Sequence, residues 1–186
     1  MNALWIDLLN SDWHDYKGGS RHEDRLDQDV WLGNFLASWR PWIKAIPLDP
    51  LRRALKEMRT LLRRMAENFR KGRPMAKKDI DVLNTILNRA PILSRLVRNG
   101  PAYALLQERA RPGLEAVLAD IAVSFSETLV SGEPDRVKIC RNPDCLWIFY
   151  DISKNCSRKW CENATGCGNL MKVRQHRARA RAGRRA

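Results

Sequence analysis

The sequence predicts a mainly α protein (α+β with one small β-hairpin): a helical N-terminal domain followed by a compact cysteine-rich module. Three observations predict this class. Apolar residues recur at three- and four-residue steps through most of the chain before the cysteines, which is the period of an amphipathic helix. All five cysteines lie between positions 140 and 167. The segment 136–186 carries 13 basic and 3 acidic residues, a net charge of +10, whereas 1–135 carries 21 and 18, a net charge of +3.

Length and composition exclude several classes of protein. A chain of 186 residues, 44% of them hydrophobic, is long enough for one packed core and a small extra module. Ten glycines, nine prolines and no short repeat exclude collagen-like and low-complexity chains. Met1–Asn10 has no basic n-region, and no uncharged apolar stretch approaches the ~20 residues of a membrane span. We therefore expect a cytoplasmic protein with no membrane partner.

The N-terminal domain is predicted to begin with two helical segments on either side of a polar loop at Tyr16–Arg21. The clearest helix follows, with Asp49 as its N-cap, Pro50 as its first residue and Gly72 just past its end. The apolar residues predicted to face inward in the first and third of these helices are Leu4, Trp5, Leu8 and Leu9, then Leu51, Ala54, Leu55, Met58, Leu61, Leu62, Met65 and Phe69.

The opposite face of the long helix is basic. Glu57 and Glu67 interrupt the positive charge along it. We therefore favour a solvated surface over a nucleic-acid site for this face. Its basic residues are Arg52, Arg53, Lys56, Arg59, Arg63 and Arg64.

Three further elements complete the domain. A helix is predicted from about Lys77 to Asn88, with Ile80, Leu83, Ile86 and Leu87 facing inward. Ile92–Arg98 and Tyr103–Arg109 are predicted to be two strands of a hairpin around Asn99-Gly100. A last amphipathic helix runs from Leu114 to Leu129.

The predicted domain boundary lies where Gly132 and Pro134 stop this last helix. The helical domain then covers 1–133 and the cysteine-rich module covers 134–186. Most of the excess positive charge belongs to the module, so the two parts are expected to differ in what they bind.

Four of the cysteines form two pairs. Cys140 and Cys145 enclose four residues, Cys161 and Cys167 enclose five, and fifteen residues separate the pairs. Structural zinc sites draw two thiolates from each of two tight turns, because four sulfurs must lie about 2.3 Å from one ion in a tetrahedron. Asn142–Asp144 supplies such a turn in the first pair. The spacing predicts one structural Zn²⁺ bound by these four cysteines.

Two other residues are alternative ligands. Cys156 is an alternative to Cys161, but this exchange would break the matched pattern of turns. His176 is a second alternative, although within a helix it would face phosphate or solvent. A redox role for Cys156 is a further interpretation.

A basic helix is predicted to begin at Cys167 and to continue to about Arg181, after a short strand at Leu146–Tyr150. A turn with two ligands, a short hairpin and a helix that starts at the last ligand together make a treble-clef-like zinc finger. The basic residues fall on two adjacent faces of this helix and on the turn before it. The predicted nucleic-acid contacts are Lys172, His176 and Arg179, then Arg174, Arg177 and Arg181, with Arg158 and Lys159.

Three runs of residues form a recognisable pattern: Cys140-x4-Cys145-x-Trp147-x-Phe149-x-Asp151-x-Ser153-Lys154-Asn155, then Ser157-Arg158-Lys159-Trp160-Cys161, then Cys167-Gly168-Asn169 before a basic helix. This pattern closely resembles the C-terminal zinc finger of the bacterial CGNR family. The opening Leu4–Ser11 resembles the start of the ABATE domain that usually precedes that finger. The resemblance implies a bacterial, stress-induced transcription regulator whose finger binds DNA. For Asp7 and Asn10, which match the ABATE opening, we favour capping or core hydrogen bonding over ligand contact.

Three features depart from the family pattern. Leu170 stands where the family has the Arg that gives it its name, and Cys156 stands where a small residue such as Gly is usual. One extra residue lies between Cys161 and Cys167. The loss of the Arg removes a potential contact to phosphate or to a base.

We interpret the chain as a zinc-dependent, duplex-DNA-binding transcription regulator. The helical domain would sense a small-molecule effector or form a homodimer. The alternative is RNA or ribosome binding through the same basic surface, with Trp147, Phe149 and Trp160 stacking on unpaired bases, although these aromatics suit the small core of the module better.

An enzyme is not expected, because no Walker loop, G-x-G-x-x-G, H-E-x-x-H or nucleophile elbow occurs. One further group of metal-ligating residues lies near the polar loop. We favour a solvated acidic loop over a metal site there. The group comprises His14 and His22 with Asp12, Asp15, Glu23 and Asp24.

Overall fold

The computed structural model describes residues 3–39, 46–130, 133–162 and 166–182. Within these ranges it contains six α-helices and three separate two-stranded antiparallel sheets, which confirms the predicted mainly helical class. The helices are α1 (Leu4–Leu9), α2 (Asp29–Trp39), α3 (Leu48–Arg70), α4 (Lys77–Arg89), α5 (Leu114–Val130) and α6 (Cys167–Ala182). The strands are β1 (Asp12–His14), β2 (His22–Asp24), β3 (Ile92–Asn99), β4 (Ala102–Arg109), β5 (Val137–Ile139) and β6 (Ile148–Tyr150). None of the helices in these ranges is both long and apolar enough to cross a bilayer.

The core is organised around α1, whose predicted inward residues are all buried. This short helix packs against α3, α5 and β6. The ring of Trp5 meets Phe125 of α5 edge to face at 5.1 Å, and its Nε1 donates to Thr128 Oγ1 at 2.9 Å. The large indole is therefore buried with its single donor satisfied, as a well-packed core requires.

Helix α3 begins at Leu48, so the prediction of Asp49 as its N-cap is wrong. The amide of Leu51 donates to the carbonyl of Pro47 at 3.3 Å, which places Asp49 within the first turn. Pro50 is tolerated there because the first amides of a helix have no intrahelical acceptor. Asp49 pairs with Arg52 one turn later. Two predicted features, the side chain of Phe69 and the stop at Gly132, lie outside the described residues.

The prediction of a solvated basic face on α3 is wrong for four of its six basic residues, which are partly buried. Segments that precede α3 in the chain, from α1 to the start of α2, fold back over this face, and their carboxylates and carbonyls accept hydrogen bonds from it. Arg59 binds both carboxylate oxygens of Asp24, at 2.7 and 2.6 Å, and Arg63 donates to the carbonyl of Leu9 at 3.0 Å. The four covered residues are Arg52, Lys56, Arg59 and Arg63. Arg64 pairs with Asp79 of α4, which follows α3 in the chain, and stays exposed.

The structure contains two small sheets in addition to the predicted β3–β4 hairpin. Strands β5 and β6 belong to the finger, where a short hairpin was expected. Strands β1 and β2 flank the polar loop predicted at Tyr16–Arg21 and pair in the register Asp12↔Asp24, Trp13↔Glu23 and His14↔His22. Their mostly polar three-residue sequences carry no alternation of apolar residues, so the pattern that identifies a strand is missing.

The β3–β4 hairpin is confirmed, but its turn is Gly100-Pro101 and not Asn99-Gly100, because Asn99 still pairs with Ala102 across the ladder. Most of its apolar side chains are exposed, with Leu96 and Leu105 paired on one face and Leu93 and Leu106 on the other. On α4, Leu83 is buried as predicted, whereas Ile80 is 40% exposed and does not face the core. The predicted inward face of α4 is therefore too wide by one residue.

The β5–β6 hairpin joins the finger to the helical core. Val137 and Ile148 are buried in the same apolar cluster as α1 and α3. Asn10, the C-cap of α1, donates to the carbonyl of Ile148 at 2.8 Å and accepts from its amide at 2.9 Å. This bridge confirms the core hydrogen-bonding role expected for Asn10, and it positions the first pair of cysteines against the body of the protein.

Candidate metal centre and basic helix

The four predicted ligands converge. The sulfur atoms of Cys140, Cys145, Cys161 and Cys167 all lie within 4.8 Å of one another. Cys145 Sγ and Cys161 Sγ are 3.8 Å apart, and a zinc tetrahedron with bonds of about 2.3 Å has edges of about 3.8 Å. The cysteines form a small cluster with Phe149, separate from the main core. Four soft thiolate donors in this geometry fit one structural zinc ion.

A tight turn presents the first two sulfurs. The amide of Cys145 donates to the carbonyl of Asn142 at 3.0 Å, and the amide of Cys140 donates to the carbonyl of Trp147 at 2.8 Å. Leu146 has φ +54°, a left-handed conformation that reverses the chain directly after Cys145. The turn predicted at Asn142–Asp144 is therefore present, and it points both thiols toward the same centre.

The side chain of Asn142 supports the centre from behind. It is fully buried, donates from Nδ2 to Cys167 Sγ at 3.3 Å and to the carbonyl of Tyr16 at 2.7 Å, and accepts from the amide of Asp144 at 3.2 Å. One amide thus links the two ligand pairs and a loop of the helical domain. Such an outer partner orients a ligand and favours its thiolate form.

The crowding of the thiols shifts their pKa values in opposite directions. Hydrogen bonds from Cys145 and Cys161 hold the pKa of Cys140 below its usual value. Cys145 and Cys161 are the donors in these hydrogen bonds to Cys140. Because a donor must keep its proton, the same hydrogen bonds raise the pKa of Cys145 and of Cys161. Four adjacent thiolates repel one another, and a dication is the species that allows all four to ionise together.

The segment between the ligand pairs is organised by Asp151. This carboxylate is fully buried and accepts hydrogen bonds from the amide and hydroxyl of Ser153, at 2.9 and 2.6 Å, and from the amide of Arg158 at 2.8 Å. Burial alone would raise the pKa of Asp151, but these hydrogen bonds outweigh it and hold the pKa below its usual value. Asp151 and Ser153 therefore shape the loop rather than bind a ligand.

Cys156 lies outside the four-sulfur cluster among the described residues. Its backbone has φ +49°, in the left-handed region where Gly is the least strained residue. This conformation explains why the family pattern has a small residue at this position. The cluster contains Cys161 and not Cys156, so the structure does not support Cys156 as the alternative ligand.

Helix α6 begins at the last ligand, Cys167, and runs for 16 residues with no acidic side chain. Its N-terminal residues Cys167 and Gly168 are buried against the metal centre, whereas most of the rest of the helix faces solvent. The predicted contact residues exposed here are Lys159 on the preceding turn and Lys172, His176, Arg177, Arg179 and Arg181 on the helix.

The other two predicted contacts are engaged within the protein. Arg174 pairs with Asp144 at 2.7 Å and donates to the carbonyl of Lys17 at 2.9 Å. Arg158 donates to the carbonyl of Cys161 and places its guanidinium 5.0 Å from the centre of the Phe149 ring. Both arginines hold parts of the finger together.

Two family models match the chain. Residues 2–132 match the ABATE model, described as "Putative stress-induced transcription regulator". The chain belongs to the ABATE family. Residues 136–180 match the CGNR zinc finger, so both resemblances predicted from the sequence are confirmed. No curated protein gave a significant match.

Membership of the ABATE family together with a CGNR finger suggests that this chain binds nucleic acid. The finger retains its four ligands, and the departure at Leu170 leaves them unaffected. Leu170 lies in the first turn of α6, where its amide donates to the carbonyl of Gly166 at 3.2 Å. With Leu at this position, the first turn of the ABATE protein's helix α6 lacks the cation of the family pattern.

Sequence reasoning missed several residues that support this site. Asn142 and Asp144 were recognised as turn formers, but not as partners of Cys167 and Arg174. Within the helical domain, away from the cysteines, the carboxyl of Asp7 has a raised pKa because of its burial, partly offset by a hydrogen bond with Trp39. An Asn-Pro-Asp turn between two ligands is a local signal for Asn142, whereas the partners of Asp144 and Asp7 lie far away in the chain and leave no such signal.

Proposed function

We propose that this chain is a cytoplasmic, non-enzymatic transcription regulator whose zinc finger binds duplex DNA through α6. The single observation that carries the proposal is the exposed, acid-free basic surface of a helix that begins at a zinc ligand. Zinc organises the finger, and the helix supplies cations to phosphates. Because phosphate contacts dominate the affinity of most DNA-binding proteins, this surface supports binding even where few bases are read.

The dimensions of α6 suit a groove. A 16-residue helix is about 24 Å long, and the major groove of B-form DNA is about 12 Å wide and admits one α-helix. The first turn is held in the finger, so the following turns are the ones free to approach DNA. These turns carry Lys172, His176, Arg177, Arg179 and Arg181, all exposed.

The helix is also held in a defined orientation. Arg174 ties α6 to Asp144 in the first ligand turn and to the carbonyl of Lys17 in the helical domain. A fixed orientation reduces the entropy lost when a rigid surface docks, which favours binding.

The aromatic residues of the finger favour duplex over single-stranded nucleic acid. Phe149 is buried, and Trp147 and Trp160 are partly buried against the cysteine cluster. The guanidinium of Arg25 lies 5.8 Å from the ring centre of Trp147. Stacking on unpaired bases requires an exposed aromatic face, and these rings pack within the protein instead.

The experiment is a titration of a fluorescent DNA duplex with the full-length zinc-loaded protein at several salt concentrations. We expect the logarithm of the affinity to fall linearly with the logarithm of the salt concentration. Replacement of Arg177, Arg179 and Arg181 together by Ala should reduce the magnitude of that slope by about 2 to 3, since each lost phosphate contact removes roughly 0.9.

The control is Arg53→Ala, which removes an exposed arginine on α3, far from the finger in the sequence. This variant should bind with the slope of the parent protein. Absence of DNA binding at low salt, or an unchanged slope in the triple variant, would contradict the proposal. If single-stranded or duplex RNA displaced the DNA at equal concentration, the RNA alternative would replace it.

A further inference from the structure

A second group of metal-ligating side chains converges on the β1–β2 hairpin. Asp12, His14 and His22 each place one donor atom within 4.8 Å of the others. Asp12 Oδ1 lies 2.6 Å from His22 Nε2 and 3.3 Å from His14 Nε2. The imidazole ring centres are 4.5 Å apart. Two of the three histidines in the chain therefore lie close to the same carboxylate oxygen, Oδ1 of Asp12.

The hairpin register brings these residues together. Side chains at positions i and i+2 of a strand lie on the same face, so Asp12 and His14 are neighbours on β1. His22 pairs directly with His14 across the ladder. The three donors therefore lie on one face of a two-stranded sheet. A sequence separation of ten residues between Asp12 and His22 conceals this arrangement until the register is known.

Two of the three donor atoms, Asp12 Oδ1 and His22 Nε2, share a hydrogen bond at 2.6 Å, which a bound ion would replace. Nε2 of His14 is shielded from solvent and has no hydrogen-bond partner among the described residues. The nearby cations are occupied: Arg59 binds Asp24, and Arg63 donates to the carbonyl of Leu9. Arg63 Nη2 lies 3.9 Å from Oδ2 of Asp12, the oxygen that the histidines do not contact. An arginine in that position orients the carboxylate, as outer partners of metal ligands do.

We propose that Asp12, His14 and His22 form a second metal site, which binds a divalent first-row transition ion. Two imidazole nitrogens and one carboxylate oxygen are the donors of three-ligand sites for zinc and iron(II), and they disfavour Mg²⁺ and Ca²⁺, which take oxygen ligands. His22 is 52% exposed, so the ion keeps an open side toward solvent. The site uses none of the four cysteines as ligands, and its proposal does not rest on DNA binding.

The hairpin that carries this site also contacts the finger. The carbonyls of Tyr16 and Lys17, in the loop between β1 and β2, accept hydrogen bonds from Asn142 and Arg174. Gly18 of this loop, beside Arg174, has φ +88°, a left-handed conformation that favours glycine. An ion that joins β1 to β2 would stiffen a loop that is already docked on the metal centre and on α6.

The test is equilibrium dialysis of the full-length protein against Zn²⁺, with metal content measured by mass spectrometry. A Cys156→Ser background removes the remaining thiol as a competing ligand. We expect two zinc ions per chain. His14→Ala and His22→Ala should each retain the ion of the finger and weaken the second by more than about 100-fold, since loss of even an outer partner costs 10- to 100-fold.

The matched control is His176→Ala, which removes the third histidine and should leave two ions bound. Nitrogen-15 spectra of the imidazoles should show zinc-dependent shifts at His14 and His22 alone. Because His22 is half exposed, its replacement leaves the packing intact, and circular dichroism verifies the fold. A single ion in the parent protein, or a second ion that persists in His22→Ala, would overturn the site.

Discussion

At the scale of single residues, the metal centre depends on a side chain that is not a ligand. Asn142 has both donors and an acceptor, and its position uses them all: toward the Cys167 sulfur, the Tyr16 carbonyl and the Asp144 amide. A hydroxyl or a carboxylate lacks this combination. Because the residue is fully buried, any replacement leaves one of these partners unsatisfied.

We predict that Asn142→Ala weakens zinc binding by about 10- to 100-fold, the usual effect of losing an outer partner of a metal ligand. Asn142→Asp should weaken it as well, since it removes the donor and adds negative charge beside a thiolate. The measurement is the transfer of zinc to a competing chelator dye. Asn84→Ala, on the exposed side of α4, is the control and should release zinc like the parent. Equal zinc retention in Asn142→Ala would refute this role.

At the scale of elements, α3 is held in the helical domain by ion pairs as well as by apolar packing. One face of its 23 residues fills the core, and the other collects the carboxylates of the β1–β2 hairpin and the turn after it. Asp24 lies at the centre of this network. Burial raises the pKa of Asp24, but hydrogen bonds and charge from Arg59 and Lys56 outweigh it and lower the pKa to about 2.

This shift makes the contribution of Asp24 to stability depend on pH. Its pKa in the folded protein lies below its value in the unfolded chain, about 3.9. The stabilisation is therefore complete above pH ~4 and is lost as the pH falls toward 2. Asp24→Asn should lower the free energy of unfolding by about 1 to 2 kcal/mol at pH 6, and the difference from the parent should shrink below pH ~4.

Urea unfolding across this pH range measures the effect. Both proteins lose zinc in acid as their thiolates are protonated, so the comparison at each pH isolates Asp24. Asp81→Asn removes an exposed pair with Lys77 and should change the free energy of unfolding by less than about 0.5 kcal/mol. A difference between Asp24→Asn and the parent that stayed constant with pH would argue against the ion pair as its cause.

At the scale of the whole molecule, the finger belongs to two packing units. Its hairpin, with Val137 and Ile148, is buried in the main core, whereas the cysteines and Phe149 form a separate cluster. The main core is large and draws most of its residues from the helical domain. Zinc is thus required by only one of the two units.

We predict that removal of zinc by a chelator unfolds the cysteine cluster and loosens α6, but leaves α1, α3 and α5 folded. A small cluster built on four thiols has too little apolar surface to remain ordered without its ion. Hydrogen exchange followed by mass spectrometry should show fast exchange over 140–147, 156–161 and 167–182. The amides of α3 should stay protected, and complete exchange in a single step would show that the two units are one.

The helices and the zinc ligands could be predicted from the sequence because both produce patterns among residues that are close together in the chain. Helical periodicity located α3 and α5 to within a few residues, and the spacing of the cysteines identified all four ligands. The β1–β2 hairpin was missed because its strands are short and mostly polar. The basic face of α3 was misinterpreted because most of its partners lie 15 to 83 residues away in the chain, and no local pattern shows such pairing.

The amino-acid sequence by itself determined the family, the helical class, the zinc ligands and the basic helix that follows them. Only the tertiary structure decided which cations remain free: Arg158 and Arg174 turn inward to hold the finger, whereas Lys172, Arg177 and Arg179 stay exposed. Only the hairpin register brought Asp12, His14 and His22 onto one face. The physical reason is that a ligand turn or a helix is specified by neighbours in the chain, whereas the partner of a charge is specified by distance in space.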